Sequence, residues 1–121
     1  MSPPLPAARF IRSLADLDTL EFVDGVAEVD VPVELLDALP LVGEDRPDTE
    51  RLQSVIRSIR RKGYGGGPRI IVQLDDKGGW EVIDGGHRIT AARQVANEFW
   101  PNLFGRRVRV LQFALHRPPQ S

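Results

Sequence analysis

The chain holds 121 residues, 41% of them hydrophobic and 27% charged, with no cysteine and a net charge of −1. That balance describes one folded domain with room for one core, and the missing cysteine excludes a disulfide framework, a thiolate metal site and cysteine nucleophilic catalysis. No apolar run reaches the roughly 20 residues of a membrane span, and the opening Met1-Ser2-Pro3-Pro4-Leu5-Pro6 lacks the layout of a secretory signal, so a cytoplasmic protein is expected.

The prolines of that opening predict an irregular lead-in. Phe10, Ile11, Leu14, Leu17 and Leu20 then recur at helical spacing, with Ser13 or Asp16 as cap. Asp24-Gly25 is a turn signal, and the alternation from Val26 to Val31 predicts a strand ended by Pro32. Val33 to Leu39 reads as one or two helical turns stopped before Pro40, and Leu41 to Asp48, with Gly43 and Pro47, reads as loop. Asp48 or Thr49 caps the clearest helix, with Glu50 in its first turn and Leu52, Val55, Ile56 and Ile59 as its apolar stripe. Arg60, Arg61 and Lys62 suit the negative end of that helix, and Gly63 stops it.

Tyr64-Gly65-Gly66-Gly67-Pro68 reads as a loop and Arg69 to Leu74 as a strand. The turn Asp75-Asp76-Lys77-Gly78-Gly79 leads to a return strand from Trp80 to Ile83. Asp84-Gly85-Gly86 opens a helix from His87 to about Phe99, with Ile89, Ala92, Val95, Ala96 and Phe99 as its stripe and Trp100-Pro101 as its end. Val108, Val110, Leu111 and Phe113 predict a last strand, and Arg117-Pro118-Pro119-Gln120-Ser121 a frayed tail. The order predicts an α/β (α+β) domain with a small mixed sheet, divided into an N-terminal extension over 1–26, the domain over 27–115 and a disordered tail over 116–121.

The strand, Asp84-Gly85-Gly86-His87-Arg88 and helix succession carries the chemistry. A helix start offers unpaired N–H groups and the positive dipole end to an anion, and glycine lets that backbone approach a phosphate closely. Arg88 adds a fork of donors. His87 can donate a hydrogen bond or exchange a proton near neutral pH, and Asp84 can cap the helix, orient His87 or hold magnesium through water. Thr90, one turn from His87, can touch a phosphate or simply pack. The same residues also suit a plain tight turn beside a solvated arginine. Neither a Walker A loop nor a dinucleotide fingerprint is present.

The run Ile70-Ile71-Val72, a turn, and Trp80-Glu81-Val82-Ile83-Asp84-Gly85-Gly86-His87-Arg88-Ile89-Thr90-Ala91-Ala92-Arg93 resembles the ParB/sulfiredoxin superfamily. Val29-Asp30-Val31 is similar to the first strand of that superfamily. Leu52-Gln53-Ser54-Val55-Ile56-Arg57-Ser58-Ile59 is similar to the helix before its glycine loop. The resemblance implies a nucleotide pocket in which Gly85, Gly86, His87 and Arg88 hold phosphates while Gly65, Gly66, Gly67 and Pro68 line the opposite wall. It implies ATP, ADP or CTP bound with Mg2+ and, in a catalytic member, phosphoryl transfer or hydrolysis. His87 would then move a proton and Asp84 or Glu44 would serve as metal ligand or base; Asp48 and Glu50 are further acidic candidates before the long helix. The chain also departs from the pattern. ParB proteins carry Gly-Glu-Arg-Arg-x-Arg where this chain reads Gly85-Gly86-His87-Arg88-Ile89-Thr90, so Arg88 alone of those arginines is kept. Sulfiredoxins need a cysteine beside the histidine, so sulfinic acid reduction is excluded. The Asp-Gly-x-His-Arg form is more similar to members that use ATP or ADP, among them free serine kinases.

The charge is unevenly divided. Residues 1–50 carry 12 Asp/Glu against three Arg, and residues 51–121 carry 13 Lys/Arg against five Asp/Glu. This predicts either mutual neutralisation or a basic face for a polyanion. Arg57, Arg60, Arg61, Lys62 and Arg69, with Arg106, Arg107 and Arg109, are the candidates for a phosphate-backbone contact with DNA, as in a ParB-like nuclease or a plasmid or phage partition accessory protein. Tyr64 is a candidate base-stacking ring or a half-buried anchor, Trp80 and Trp100 read as packing residues, and His116 falls in the tail. A degenerate pocket serving as a protein-interaction module is the third expectation.

Overall fold

The computed structural model describes residues 8–43, 45–47, 49–64, 68–96 and 109–118. The expectations placed on Glu44, Asp48, Gly65, Gly66, Gly67, Phe99, Trp100, Arg106, Arg107 and Val108 lie outside those residues.

Six strands form one mixed sheet in the order β1-β2-β6-β4-β5-β3. They are β1 (Arg9–Phe10), β2 (Val26–Pro32), β3 (Leu41–Val42), β4 (Ile70–Leu74), β5 (Trp80–Asp84) and β6 (Val110–His116). Two helices, α1 (Glu50–Lys62) and α2 (Gly86–Ala96), pack against each other, and short 3-10 helices span Leu14–Thr19 and Val33–Ala38. The mixed α/β fold expected from the element order is thus the observed one.

Strict alternation explains the centre. Ala27, Val29 and Val31 of β2 and Leu111, Phe113 and Leu115 of β6 are buried, and every residue between them is half-buried. β6 runs antiparallel to β2 with Val29 opposite Phe113, and parallel to β4 with Ile70 opposite Phe113. Phe113 therefore sits between two central neighbours and meets Trp80 edge to face, with ring centroids 5.6 Å apart. The helical side of the same core comes from Leu52, Ile56 and Ile59 of α1 and Ile89, Ala92 and Val95 of α2.

Local chemistry sets the boundaries of the elements. Thr49 caps α1, its hydroxyl accepting from the Leu52 N–H at 3.4 Å. Gly63 closes the helix at φ +87°, its N–H donating to the Ile59 carbonyl at 2.8 Å. The Asp75 carboxylate ties the hairpin turn by accepting from the N–H groups of Lys77 at 2.8 Å and Gly79 at 2.6 Å.

The structure corrects the sequence reading at the margins. Arg9–Phe10 pairs in parallel with Val29 and Asp30, and Ile11 is fully buried, so part of the expected extension over 1–26 belongs to the sheet. The helix expected there shortens to the 3-10 helix Leu14–Thr19, because Phe10 and Ile11 are drawn into pairing and the core. Leu41–Val42, read as loop, adds an edge strand beside Trp80 and Glu81. His116, expected at the start of the tail, is the last residue of β6, opposite Val26, because the alternation of β6 runs on through Leu115. No helix among the described residues is long and apolar enough to cross a membrane.

Phe113 is fully buried between two strands and against Trp80. Phe113→Ala is expected to destabilise the fold by about 3–5 kcal/mol, read as a lower midpoint in urea unfolding with an unchanged slope.

Candidate functional site

The end of β5 and the start of α2 are joined by one residue, Gly85, at φ +102°. A Cβ at Gly85 would lie 3.0 and 3.1 Å from the two γ-carbons of Ile70 and 3.2 Å from its Cα, so both the torsion and the close approach require glycine. The Gly85 carbonyl then accepts from the N–H groups of Arg88 at 3.0 Å and Ile89 at 3.3 Å, which starts the helix. The N–H groups of Gly86 and His87 belong to the first turn, where helix geometry supplies no acceptor and the dipole is positive.

This helix start forms one wall of a cavity of about 390 Å³, lined by Arg46, Arg51, Val55, Pro68, Arg69, Ile83, Asp84, Gly85, Gly86, His87 and Arg88. The structure thus brings together Asp84, Gly85, Gly86, His87 and Arg88 of the expected site. Thr90 is not on the wall: its hydroxyl donates to the Gly86 carbonyl at 3.0 Å, one turn back along its own helix. Glu44, Gly65, Gly66 and Gly67 lie outside the described residues.

The four arginines differ in how they are held. Arg69 is neutralised within the sheet, its Nε 2.9 Å from Glu28 Oε2 and its Nη1 2.8 Å from Asp30 Oδ1. This pairing takes Arg69 out of the expected basic face and joins one cation of the basic half to two carboxylates of the acidic half. Arg88 donates from Nη1 to the Pro68 carbonyl and from Nη2 to the Tyr64 carbonyl at 3.5 Å, so one guanidinium ties both residues that flank 65–67. Burial lowers its pKa from the ordinary arginine value, yet a guanidinium stays charged at neutral pH. Arg51 is exposed and reaches the cavity from the first turn of α1.

Arg46 was not anticipated. It stands between Gly43 and Pro47, where no periodicity points to a site. A Cβ built on Gly86 would lie 2.5 Å from Arg46 Cζ and 2.7 Å from both Nε and Nη2. The Arg46 guanidinium lies across the helix start in the place a Cβ at 86 would take, and as the far end of a flexible side chain it would be displaced by one.

His87 is half-buried at the cavity wall. Its pKa is lowered from the ordinary histidine value, first by burial and then by the positive charges of Arg51 and Arg46, so the imidazole is neutral near pH 7. Asp84 is the one carboxylate residue among the described lining residues. No group of three His, Cys, Asp or Glu side chains that could hold a metal ion occurs among the described residues.

Other expectations fall elsewhere. Arg57, Arg60, Arg61 and Lys62 are exposed along α1, away from the cavity wall. Arg109 Nη1 donates to the Ala96 carbonyl at the end of α2, at 3.2 Å. Tyr64 is buried in the core rather than presented to the cavity, and Trp80 is buried as expected.

No family model matches the chain, and no curated protein matches it. Among solved structures, the C-terminally truncated chromosome-partitioning protein ParB from Caulobacter crescentus, complexed with CTP-gamma-S, is similar at 18% identity and a TM-score of 0.45. The similarity covers 78% of this chain and 46% of that one, so this chain spans less than half of that structure's length.

Two outcomes are expected of the site itself. Gly85→Ala adds positive-φ strain to the clash with Ile70 and is expected to cost about 1–3 kcal/mol, read by urea unfolding. The lowered pKa of His87 means that the unfolded chain binds its proton more readily than the folded one. Stability should therefore rise with pH up to about 6.5 and level off above it, and His87→Asn should remove that contribution from the pH profile.

Proposed function

We propose that the chain binds a nucleotide at this cavity, its phosphates against Gly86, His87, Arg51 and Arg88. The observation that carries the reading is the convergence of four arginines, a histidine and a helix N-terminus on one cavity with a single carboxylate residue among its described lining residues. Like charges at close quarters repel, and within the lining Arg69 has two carboxylates of its own in reach. An anion is the ligand suited to a lining so rich in cations.

The size and the apolar wall favour a nucleotide over a bare anion. About 390 Å³ is far more than a phosphate needs and falls in the range of small-molecule pockets. Val55, Pro68 and Ile83 offer aliphatic surface for a base or sugar beside the cationic end. The resemblance of the Asp84–Arg93 stretch to nucleotide-binding proteins agrees with this and suggests ATP, ADP or CTP. Mg2+ would enter with the phosphates, which commonly supply most of its non-water ligands, and Asp84 would supply one protein carboxylate directly or through water. Should phosphoryl transfer follow, neutral His87 is the group suited to accept a proton, and Asp84 to hold the metal or the base role.

A second reading, contact with a DNA backbone, rests on the exposure of Arg57, Arg60, Arg61 and Lys62 along α1. It loses the support of Arg69 and Arg109, both engaged inside the domain.

Thermal shift with ATP, ADP, CTP and GTP, each with and without Mg2+, tests the proposal. A nucleotide at 100 times its Kd should add about 2.7 kcal/mol of stability, or several degrees in Tm. Arg51→Ala, at an exposed position, should keep the Tm of the free protein and lose most of that shift. A flat panel overturns the nucleotide reading. Retention of duplex DNA that falls steeply with salt would then favour the second reading.

A further inference from the structure

Arg46 reaches the cavity from the segment between β3 and α1, and its guanidinium is held in a specific way. Nη1 donates to the Gly43 carbonyl at 2.6 Å and to the Asp45 carbonyl at 2.9 Å. Those bonds anchor one end of the group to its own loop. Nε and Nη2, the pair that makes a two-pronged fork, make no hydrogen bond among the described residues and lie over Gly86. A side chain at 86 would occupy that place, with its Cβ 2.5 Å from Cζ.

A cation set against the positive end of a helix is electrostatically unfavourable by itself. Here it has Arg51 and Arg88 for company on the same cavity, and its charge helps to keep His87 neutral. Two carbonyls fix the guanidinium there, so little rotamer freedom is left to lose when a ligand arrives. An arginine fork aligned beforehand is suited to two parallel bonds with phosphate oxygens.

We propose that Arg46 is a phosphate-binding residue of this site, presenting its Nε–Nη2 edge across Gly86 to the same anion that the start of α2 receives. The inference rests on the nucleotide reading above and adds to it a residue from a separate element. The ligand is gripped from two sides, by α2 and by the β3–α1 segment. Glycine at 86 serves Arg46 as well as the ligand, because any side chain there would lift the fork away.

The test is isothermal titration with sodium tripolyphosphate, and with whichever nucleotide gives the largest thermal shift, on the full chain. Arg46→Ala is expected to weaken both about tenfold to a hundredfold. Arg46→Lys, which keeps the charge without the fork, is expected to recover less than half of that loss on a logarithmic scale. Gly86→Ala should resemble Arg46→Ala. An unfolding midpoint in urea close to wild type shows that Arg46→Ala is folded, and in that folded variant the imidazole titration of His87, followed by NMR, should move up with the cation removed from the site.

Wild-type affinity in a folded Arg46→Ala variant overturns the role of Arg46 and leaves the nucleotide reading standing. Tighter binding in that variant also overturns it, since Arg46 would then be an obstruction. Full recovery by lysine overturns the fork geometry. No binding of tripolyphosphate or nucleotide by the wild-type chain overturns both readings together.

Discussion

Gly85 turns the chain at φ +102° so close to Ile70 that a Cβ would lie 3.0 Å from its side chain, and the position of α2 follows from that approach. Ile70 is fully buried and opposite Phe113, so it cannot yield without opening the middle of the sheet. The turn is therefore fixed by the core rather than by the loop around it. From it follow the Gly85 carbonyl that starts the helix, the direction of the first-turn N–H groups, and the placement of His87 and Arg88 on the cavity wall. Packing of α1 on α2 then sets Arg51 and Val55 opposite them. A site built this way is preorganised: the entropy of arranging its parts was spent in folding, not on binding.

Charge is distributed in the same economical manner. Part of the acidic first half is used internally, Glu28 and Asp30 holding Arg69 between β2 and the start of β4. Asp37 lies 3.8 Å from Arg93, but its side chain is almost fully exposed, and such a pair contributes little. Arg46 runs against the trend, a cation from the acidic half that faces the site. Two of the cavity's cations are oriented by carbonyl oxygens. Arg46 is held by Gly43 and Asp45, and Arg88 by Tyr64 and Pro68.

Much of this was legible in the sequence wherever a local pattern carried the information. The stripe Leu52, Ile56 and Ile59 with its Thr49 cap, the Asp75 turn and the glycine pair before His87 all report on neighbours within a few residues. The stretch from Asp84 to Arg88 that lines the cavity was legible for the same reason, as one strand–turn–helix junction. The two-residue strands β1 and β3 were not, because alternation needs more than two residues to be seen. Strand order was not legible either: β6 enters between β2 and β4 although it is last in the chain, a choice made by core packing. Arg46 was invisible for a further reason. Its partners are the carbonyls of its own irregular segment and a glycine on another element, and neither leaves a mark on composition or spacing.

Arg88 joins these threads. The sequence presents it as a side chain free to meet a ligand, but its guanidinium already bonds the carbonyls of Tyr64 and Pro68. Tyr64 is itself buried in the core behind α1, so Arg88 connects the helix start to packed structure as well as to the cavity. Removing it would take away the proposed phosphate contact and a structural tie at once, and a loss of binding in such a variant would not separate the two. Arg51 is the cleaner probe, because it lines the cavity from an exposed position on α1. The distinction matters for reading any arginine at a helix start: a guanidinium engaged on one edge by carbonyls can be both scaffold and contact, and only its remaining donors are available to an anion.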